Sequence, residues 1–194
     1  MSYFLNGWIK FFVLLTPFFA LSMFVLLTAN RSASEKRTLA LKVMAAVFVI
    51  CLTLFFLGNV IFQAVGITID SFRVGAGLLL FLSAVELVQG RPKGDASEKD
   101  IAVVPLSVPV IVGPATTGAL LVTGAEITDG RQRLIALTSL VLAILSIGAI
   151  LLAADFIERL FKRKGIVVLS KLTGLFLSAL ASQMVFEGAR NLLH

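Results

Sequence analysis

The sequence predicts an all-α membrane protein: six transmembrane helices form two inverted three-helix repeats, and prolines break helices one and four. Three observations support this prediction, namely the composition, the number of apolar runs and a similarity between the two halves. Of the 194 residues, 58% are hydrophobic and only 14% are charged, and the mean hydropathy is +1.01. A chain with so little polar surface cannot close a water-soluble globule. The lipid bilayer is therefore its expected surrounding.

Six apolar segments are each close to the roughly 20 residues that a helix needs to cross about 30 Å of hydrocarbon. They lie at about residues 8–29, 41–64, 73–90, 103–124, 134–156 and 168–190. The first segment is too long and too uninterrupted for a cleaved signal peptide, so we expect it to remain as a span.

The basic residues predict the orientation of these spans. With the N-terminus outside the cell, 12 of the 17 lysines and arginines lie on the cytoplasmic side. This bias matches the positive-inside rule. We therefore expect a multi-pass protein of the cell inner (plasma) membrane with both termini external. The net charge of +6 follows from this orientation, so we expect no nucleic-acid partner.

The two halves of the chain resemble each other. A polar linker at 91–102 separates a first unit, 1–90, from a second unit, 103–194. With an offset of 99, residues 66–91 align without gaps to residues 165–190, and seven of these 26 pairs are identical. Because each unit has three spans, the second must enter the membrane from the opposite side. The repeat is therefore expected to be inverted.

Prolines interrupt the first and fourth spans at corresponding positions. Pro105, Pro109 and Pro114 each remove a backbone donor from an apolar stretch, and Thr16-Pro17 falls opposite Gly113-Pro114 at an offset of 97. Carbonyls freed within a bilayer need partners in the protein or in a wet cavity. Inverted repeats with such broken helices indicate a secondary transporter whose site lies near the membrane midplane. The alternative is a duplicated fold that keeps the symmetry without transport.

The chemistry of a broken helix favours a zwitterionic solute. Amides at a half-helix N-terminus suit a carboxylate, and freed carbonyls suit an ammonium group or a cation. The threonine hydroxyls could instead bond back to their own helices. Gln183 is expected to face the interior, because an amide in an apolar span needs a partner. The candidate substrate-binding residues are Thr16, Pro17, Gly113, Pro114, Thr116, Thr117 and Gln183.

Carboxylates inside spans are natural carriers of a coupling proton or cation. Glu86 lies about one turn inside the cytoplasmic end of the third span, and Asp155 lies at the same side of the fifth. These two are the coupling-ion candidates. Glu187, near the outer end of the sixth span, could equally pair with Arg190.

Other polar and reactive residues point away from enzymatic chemistry. His194 is the only histidine, and the chain has no phosphate-binding loop of the P-loop type. We therefore expect no catalytic site, no metal site and no cofactor. Cys51 stands alone in an apolar run and is expected to pack in the core. Small residues on the third and sixth spans should permit close helix packing: Gly75, Gly77, Ser83, Ala84, Gly174, Ser178, Ala181 and Ser182.

Three stretches carry a resemblance to a known family. They are Ile69-Asp-Ser-Phe-Arg-Val-Gly-Ala-Gly-Leu78, Val104-Pro-Leu-Ser-Val-Pro-Val-Ile-Val-Gly-Pro114, and Lys171-Leu-Thr-Gly followed by Gln183 and Gly188. Over nearly the whole chain, this pattern resembles the MarC family of six-span inner-membrane proteins. The resemblance implies kinship with the lysine-exporter superfamily and transport of small neutral amino acids coupled to a cation gradient.

The chain also departs from that family's pattern at both breaks. Relatives usually place glycine, and often asparagine, after the first proline, whereas this chain has Phe18 and Phe19. Ala115 replaces a glycine in the second break. We expect a secondary transporter of a small solute, a neutral amino acid, working by alternating access with proton or sodium coupling. The alternatives are a non-transporting structural or regulatory membrane protein and an ion channel, and an oligomer is compatible with either.

Overall fold

The computed structural model describes residues 2–89 and 111–193, and these residues are helical, with no strand among them. Within each of these two ranges, short loops or single residues separate successive helices, and α1 and α2 together form one interrupted rod. The helices are α1 (Ser2–Leu14), α2 (Pro17–Leu27), α3 (Ala33–Val65), α4 (Ile69–Gln89), α5 (Pro114–Glu126), α6 (Gly130–Leu152) and α7 (Ala154–Leu193). Lys162, with φ 53° and ψ 163°, interrupts the helical backbone of α7.

Five stretches of the described residues are long and apolar enough to cross a membrane, which confirms a multi-pass helical membrane protein. They are Tyr3–Leu27, Ala33–Gly58, Ile69–Gln89, Gly130–Leu152 and Lys164–Leu193. Part of the predicted fourth span, with Pro105 and Pro109, lies outside the described residues, as does the linker 91–102. Only α5 represents that span, so the total of six remains a prediction.

Polar N-caps explain where two of the long helices begin. Ser32 and Glu35 form a capping box, in which the Ser32 amide donates to Glu35 Oε2 at 2.8 Å and the Glu35 amide donates to Ser32 Oγ at 3.4 Å. Asp129 caps α6 by accepting from the Gln132 amide at 3.0 Å. Helix α3 begins at Ala33, eight residues before the span that hydropathy predicts at about 41. The charged residues of its first turns lower the hydropathy there, so the predicted span starts late.

The helices pack into one bundle with alternating directions. Helix α1 packs on α6, α3 packs on both α5 and α6, α2 packs on α7, and α4 packs on both α5 and α7. We call the end of the bundle that holds the starts of α1, α4 and α6 the N-terminal end. The core is apolar, and Cys51 is fully buried in it, which confirms the predicted packing role.

Helices α4 and α7 pack antiparallel through a reciprocal pair of glycines. A Cβ placed on Gly77 would lie 3.1 Å from the Ala181 carbonyl oxygen, and one on Gly174 would lie 3.0 Å from the Ala84 carbonyl oxygen. Gly77 and Gly174 are 97 residues apart, the same offset as between Thr16-Pro17 and Gly113-Pro114, whereas the alignment at offset 99 pairs Gly75 with Gly174. The contacts therefore favour an offset of 97 for the predicted repeat. Gly75 is exposed, with no atom within 4 Å of its Cβ position.

Helices α3 and α5 approach even more closely, again through two glycines. A Cβ on Gly58 would collide with the Leu121 carbonyl, and a Cβ on Gly124 would collide with the Phe55 carbonyl. Backbone therefore lies against backbone at both points. This contact fixes the C-terminal half of α5, and so fixes where its first turn lies in the bundle.

Candidate functional site

The rod formed by α1 and α2 breaks at Thr16. This residue has φ 49° and ψ 57°, which is left-handed backbone, and Pro17 is the first residue of α2. The Thr16 amide donates to the Val13 carbonyl at 3.0 Å, and the next helical bond runs from the Ala20 amide to the Thr16 carbonyl at 2.9 Å. The amides of Phe18 and Phe19 lie between them and, as in the first turn of any helix, have no acceptor within α2.

Thr16 is β-branched, so its left-handed backbone is strained, and Thr16→Gly should relieve that strain. Left-handed backbone costs an L-residue about 1–2 kcal/mol, and the added freedom of glycine in the unfolded chain costs about 0.5–1 kcal/mol. We expect the free energy of unfolding in detergent to rise by about 0.5–1 kcal/mol. The matched control is Thr28→Gly, since Thr28 has φ −109° and its hydroxyl donates to the Phe24 carbonyl at 2.7 Å. That variant should be less stable than the parent, and equal losses in both would contradict the strain argument.

The start of α5 repeats this arrangement. Gly113 is its extended N-cap, Pro114 is its first residue, and the Thr117 amide donates to the Gly113 carbonyl at 2.9 Å. The amides of Ala115 and Thr116 precede that bond and have no acceptor within α5. Neither α2 nor α5 receives a side-chain cap from its own N-cap residue. Each helix therefore presents two uncapped amides.

A hydrogen bond joins the end of α1 to the first turn of α5. Thr116 Oγ1 donates to the Leu14 carbonyl at 3.3 Å, and both residues are buried. Thr16 is only 8% exposed, and its hydroxyl has no hydrogen-bond partner among the described residues. An unsatisfied buried hydroxyl is costly, which makes this position a candidate for contact with a polar ligand. Thr117, the residue after Thr116, is half-buried.

Aromatic bulk surrounds the first break. Phe18 and Phe19 are both half-buried, and the Phe18 ring meets the Phe12 ring edge-on, with 6.4 Å between ring centroids. These rings narrow the space next to the uncapped amides of α2. A site here would favour a small solute.

Gln183 is exposed and, together with Lys10, lines an open cavity of about 340 Å³ between α1 and α7. Its Nε2 donates to Glu187 Oε1 at 2.7 Å, one turn further along α7. A carboxylate on the same helix meets the need of the amide for a partner, so no interior contact is required. At offset 97, Gln183 occupies the position on α7 that Glu86 occupies on α4, where Glu86 is half-buried.

A network of charges centred on Arg73 closes the N-terminal end of the bundle. The Arg73 side chain, 11% exposed, pairs with Glu126 of α5, with Asp70 at 3.5 Å and with Glu187 at 3.9 Å. Asn191 Nδ2 also donates to Asp70 Oδ1 at 3.1 Å. The network therefore ties α4 to both α5 and α7. Glu187 pairs with Arg73, not with Arg190 as the sequence had allowed.

Asp155 forms an ion pair at the opposite end of the bundle. Its Oδ1 lies 2.6 Å from Lys36 Nζ, and this pair links the start of α7 to the start of α3. The side chains of Lys36 and Asp155 are 20% and 48% exposed. A carboxylate with a committed lysine partner is less free to carry a coupling cation than one without.

We expect Lys36→Gln and Asp155→Asn to have matching effects, because either change breaks the same pair. Each should lower the free energy of unfolding by up to about 1 kcal/mol, and a double-mutant cycle should give a coupling of roughly 0.5–1 kcal/mol. Should Asp155→Asn abolish gradient-driven uptake while Lys36→Gln leaves it intact, the carboxylate would instead carry the coupling ion.

An open cavity of about 640 Å³ lies at the N-terminal end, between α1, the end of α5 and the start of α6. We call it the vestibule. Its lining includes Gly7, Lys10 and Phe11 of α1, Thr123 of α5 and Ser139 of α6. Phe11, only 2% exposed, lies one turn before Leu14 on α1. The vestibule therefore ends one helical turn from the two joined breaks.

Comparison with known proteins identifies the family of this two-break bundle. The profile described as "MarC family integral membrane protein" matches residues 1–193. The chain belongs to the MarC family. It is 29% identical to a UPF0056 membrane protein of Methanocaldococcus jannaschii over all of this chain and 98% of that protein.

Two further MarC relatives are bacterial. A UPF0056 membrane protein of Aquifex aeolicus is 30% identical, over 98% of this chain and 94% of its own. The UPF0056 membrane protein YhcE of Escherichia coli is 26% identical, over 95% of this chain and 90% of its own. No solved structure matches this MarC chain.

Two charged residues that stand out in the structure are not among the candidates that the sequence indicates. Asp70 and Arg73, three positions apart, mark a possible helical ion pair. Lys10 interrupts the apolar run from Trp8 to Leu15. A lone lysine within a span is a functional signal that composition alone does not reveal.

Proposed function

We propose that this MarC protein is a secondary transporter that moves a small solute, a neutral amino acid, by alternating access. The solute binds between the breaks at Thr16-Pro17 and Gly113-Pro114. The observation that supports this proposal is the Thr116–Leu14 hydrogen bond, which brings both breaks together beside the unpartnered Thr16 hydroxyl. Proton or sodium coupling is part of the proposal, with Glu86 as the first candidate carrier and Asp155 as the second.

The groups at the joined breaks match a zwitterion. The uncapped amides of α2 and α5 add up to a concentration of positive partial charge, which suits a carboxylate. The Val13 and Leu14 carbonyls at the end of α1 accept from the Thr16 amide and the Thr116 hydroxyl, and the second lone pair of each suits an ammonium group. The buried surroundings strengthen both interactions, because little water screens them.

An inverted repeat supports alternating access. The predicted repeat exchanges α1–α2 with α5, α3 with α6 and α4 with α7. Under this exchange the α3–α5 contact corresponds to the α1–α6 contact, and the α4–α5 contact corresponds to the α2–α7 contact. The reciprocal glycines Gly77 and Gly174 fit the same exchange. On this proposal, units 1–90 and 103–194 rock against each other around the breaks.

The decisive experiment is thermal stabilisation of the detergent-purified protein by a panel of amino acids. A ligand that binds only the folded state raises its stability by mass action, by about 2.7 kcal/mol at one hundred times its Kd. We expect a shift with one or two small neutral amino acids, and uptake of the same solutes into proteoliposomes. Thr116→Val and Thr117→Val should lose both effects.

Thr138→Val is the matched control for these variants. Thr138 is exposed on α6, and its hydroxyl donates to the Leu134 carbonyl at 2.9 Å within its own helix. This variant should keep the shift and the uptake. Absence of both shift and uptake in the parent protein would contradict the proposal.

A second candidate is a non-transporting structural or regulatory protein of the same family. The half-buried Phe18 and its edge contact with Phe12 favour it, because they fill space beside the first break. On this alternative, no amino acid stabilises the protein, and Thr116→Val impairs assembly instead of transport.

A further inference from the structure

Lys10 is a charged residue placed well inside the first span. It lies seven residues after Tyr3, where the span begins, and six before Thr16. At 1.5 Å per residue it is therefore about 10 Å from the end of the span and about 9 Å from the break. Within the described residues, no carboxylate oxygen lies within 4 Å of its ammonium group, since the ion pairs of this region involve Arg73. A lysine at such a depth needs either a ligand or a path to water.

Lys10 is exposed and lines two open cavities, the vestibule and a second one of about 340 Å³ between α1 and α7. The vestibule contains little negative charge: Lys10 and Arg131 both line it, and Asp129 is the one carboxylate among its described lining residues. That carboxylate already accepts the Gln132 amide at 3.0 Å as the cap of α6. Glu187 attracts Lys10 and Arg73 repels it, and the attraction is the larger of the two, but Glu187 is already paired with Arg73.

The hydroxyls of Ser139 and Thr123 line the same cavity, but their protons have acceptors elsewhere. Ser139 Oγ donates to the Phe4 carbonyl at 3.0 Å, and Thr123 Oγ1 donates to the Ala119 carbonyl at 2.8 Å. Their protons are therefore not available to a ligand. This leaves Lys10 and Arg131 as the cavity's available charged donors among the described lining residues.

We propose that the vestibule is an anion subsite in which Lys10 binds the carboxylate of the solute before it reaches the breaks. This inference rests on the proposed function for its ligand, and it adds the recognising residue and the chemical group recognised. A solute that has a carboxylate is retained beside Phe11, one turn from the Thr116–Leu14 contact. The same solute as an amide lacks that interaction.

The test measures the electrostatics of the vestibule without relying on transport. Ala136, a partly buried lining residue, is replaced by cysteine in a Cys51→Ala background. The labelling rate is measured with an anionic and with a cationic methanethiosulfonate reagent of similar size. We expect the ratio of anionic to cationic rates to fall roughly tenfold in Lys10→Gln, because one positive charge near the thiol is removed. Lys10→Arg should retain the ratio.

The control is Lys42→Gln, an exposed lysine of α3 at the opposite end of the bundle. It should leave the ratio unchanged. An unchanged ratio in Lys10→Gln would overturn the proposal, because the ammonium group would then reach toward the membrane surface instead of the cavity. If Ala136→Cys does not fold, Gln132→Cys provides a second reporter in the same lining.

Competition identifies the ligand group. Propionate and L-alanine should each slow the labelling by the anionic reagent, and alaninamide should not. Equal protection by alaninamide would overturn the carboxylate assignment. If the parent protein neither transports nor is stabilised by any amino acid, yet propionate protects and Lys10→Gln removes the protection, then the proposed function fails while the anion subsite stands.

Discussion

Arg73→Gln is expected to lower the free energy of unfolding by about 2–3 kcal/mol, because it leaves three carboxylates close together with no cation among them. Glu126, Glu187 and Asp70 belong to three helices, and Arg73 is the group that joins them. The cost stays below that of a fully buried pair, since the three carboxylate side chains are 32–44% exposed and retain water.

Unfolding in mixed detergent micelles measures this loss, and two further variants interpret it. Arg190→Gln is the control, since Arg190 is exposed and makes no ion pair within the described part of the chain. The double variant Arg73→Gln with Glu126→Gln removes the nearest partner as well and should recover part of the stability. If the double variant were no more stable than Arg73→Gln alone, repulsion among the carboxylates would not be the cause.

Gly124→Val is expected to cost about 3 kcal/mol or to abolish the folded protein, the largest effect of any single change that we predict. The added side chain would collide with the Phe55 carbonyl, and a backbone atom cannot turn aside as a side chain can. Helices α3 and α5 would have to separate, and the first turn of α5 would move with them. Transport should therefore fall together with stability.

Gly75→Val is the matched control. It makes the same substitution in a membrane helix, at a glycine with no atom within 4 Å of its Cβ position. Helix propensity slightly favours valine over glycine, so we expect no loss of stability. Fluorescence-detected size-exclusion chromatography of both variants in detergent gives the comparison, and similar losses in both would mean that the α3–α5 contact does not limit packing.

The sequence predicted the class and most of the helices because hydropathy acts over whole spans. Local features shifted the boundaries: the capping box at Ser32 and Glu35 starts α3 early, and Gly66, with φ 72°, ends it. The similarity between the two halves stays a prediction, and the sequence leaves its register open. Offset 99 gives seven identities over residues 66–91, whereas the contacts of Gly77 and Gly174 favour offset 97.

The sequence predicts those parts of the candidate site that depend on local backbone structure. It does not predict the parts that depend on contacts between helices. Prolines reveal a break without a structure, so Pro17 and Pro114 marked two helix starts correctly. Nothing in the sequence shows that the Thr116 hydroxyl donates to the Leu14 carbonyl, or that the Gln183 amide donates to Glu187. Likewise, only the structure places Lys10 beside a cavity.

The glycine contacts of α4 and α7 also restrict how that pair can move. Sliding one helix along the other by a turn would bring larger side chains against the carbonyls of Ala84 and Ala181. Tilting is less restricted, and its pivot lies between the two contacts, where Leu80 and Leu177 are almost fully buried. We therefore expect a tilt of α4 against α7 to change their separation in opposite directions at the two ends of the pair. When the helices move apart near Arg73, they move closer together near Glu86.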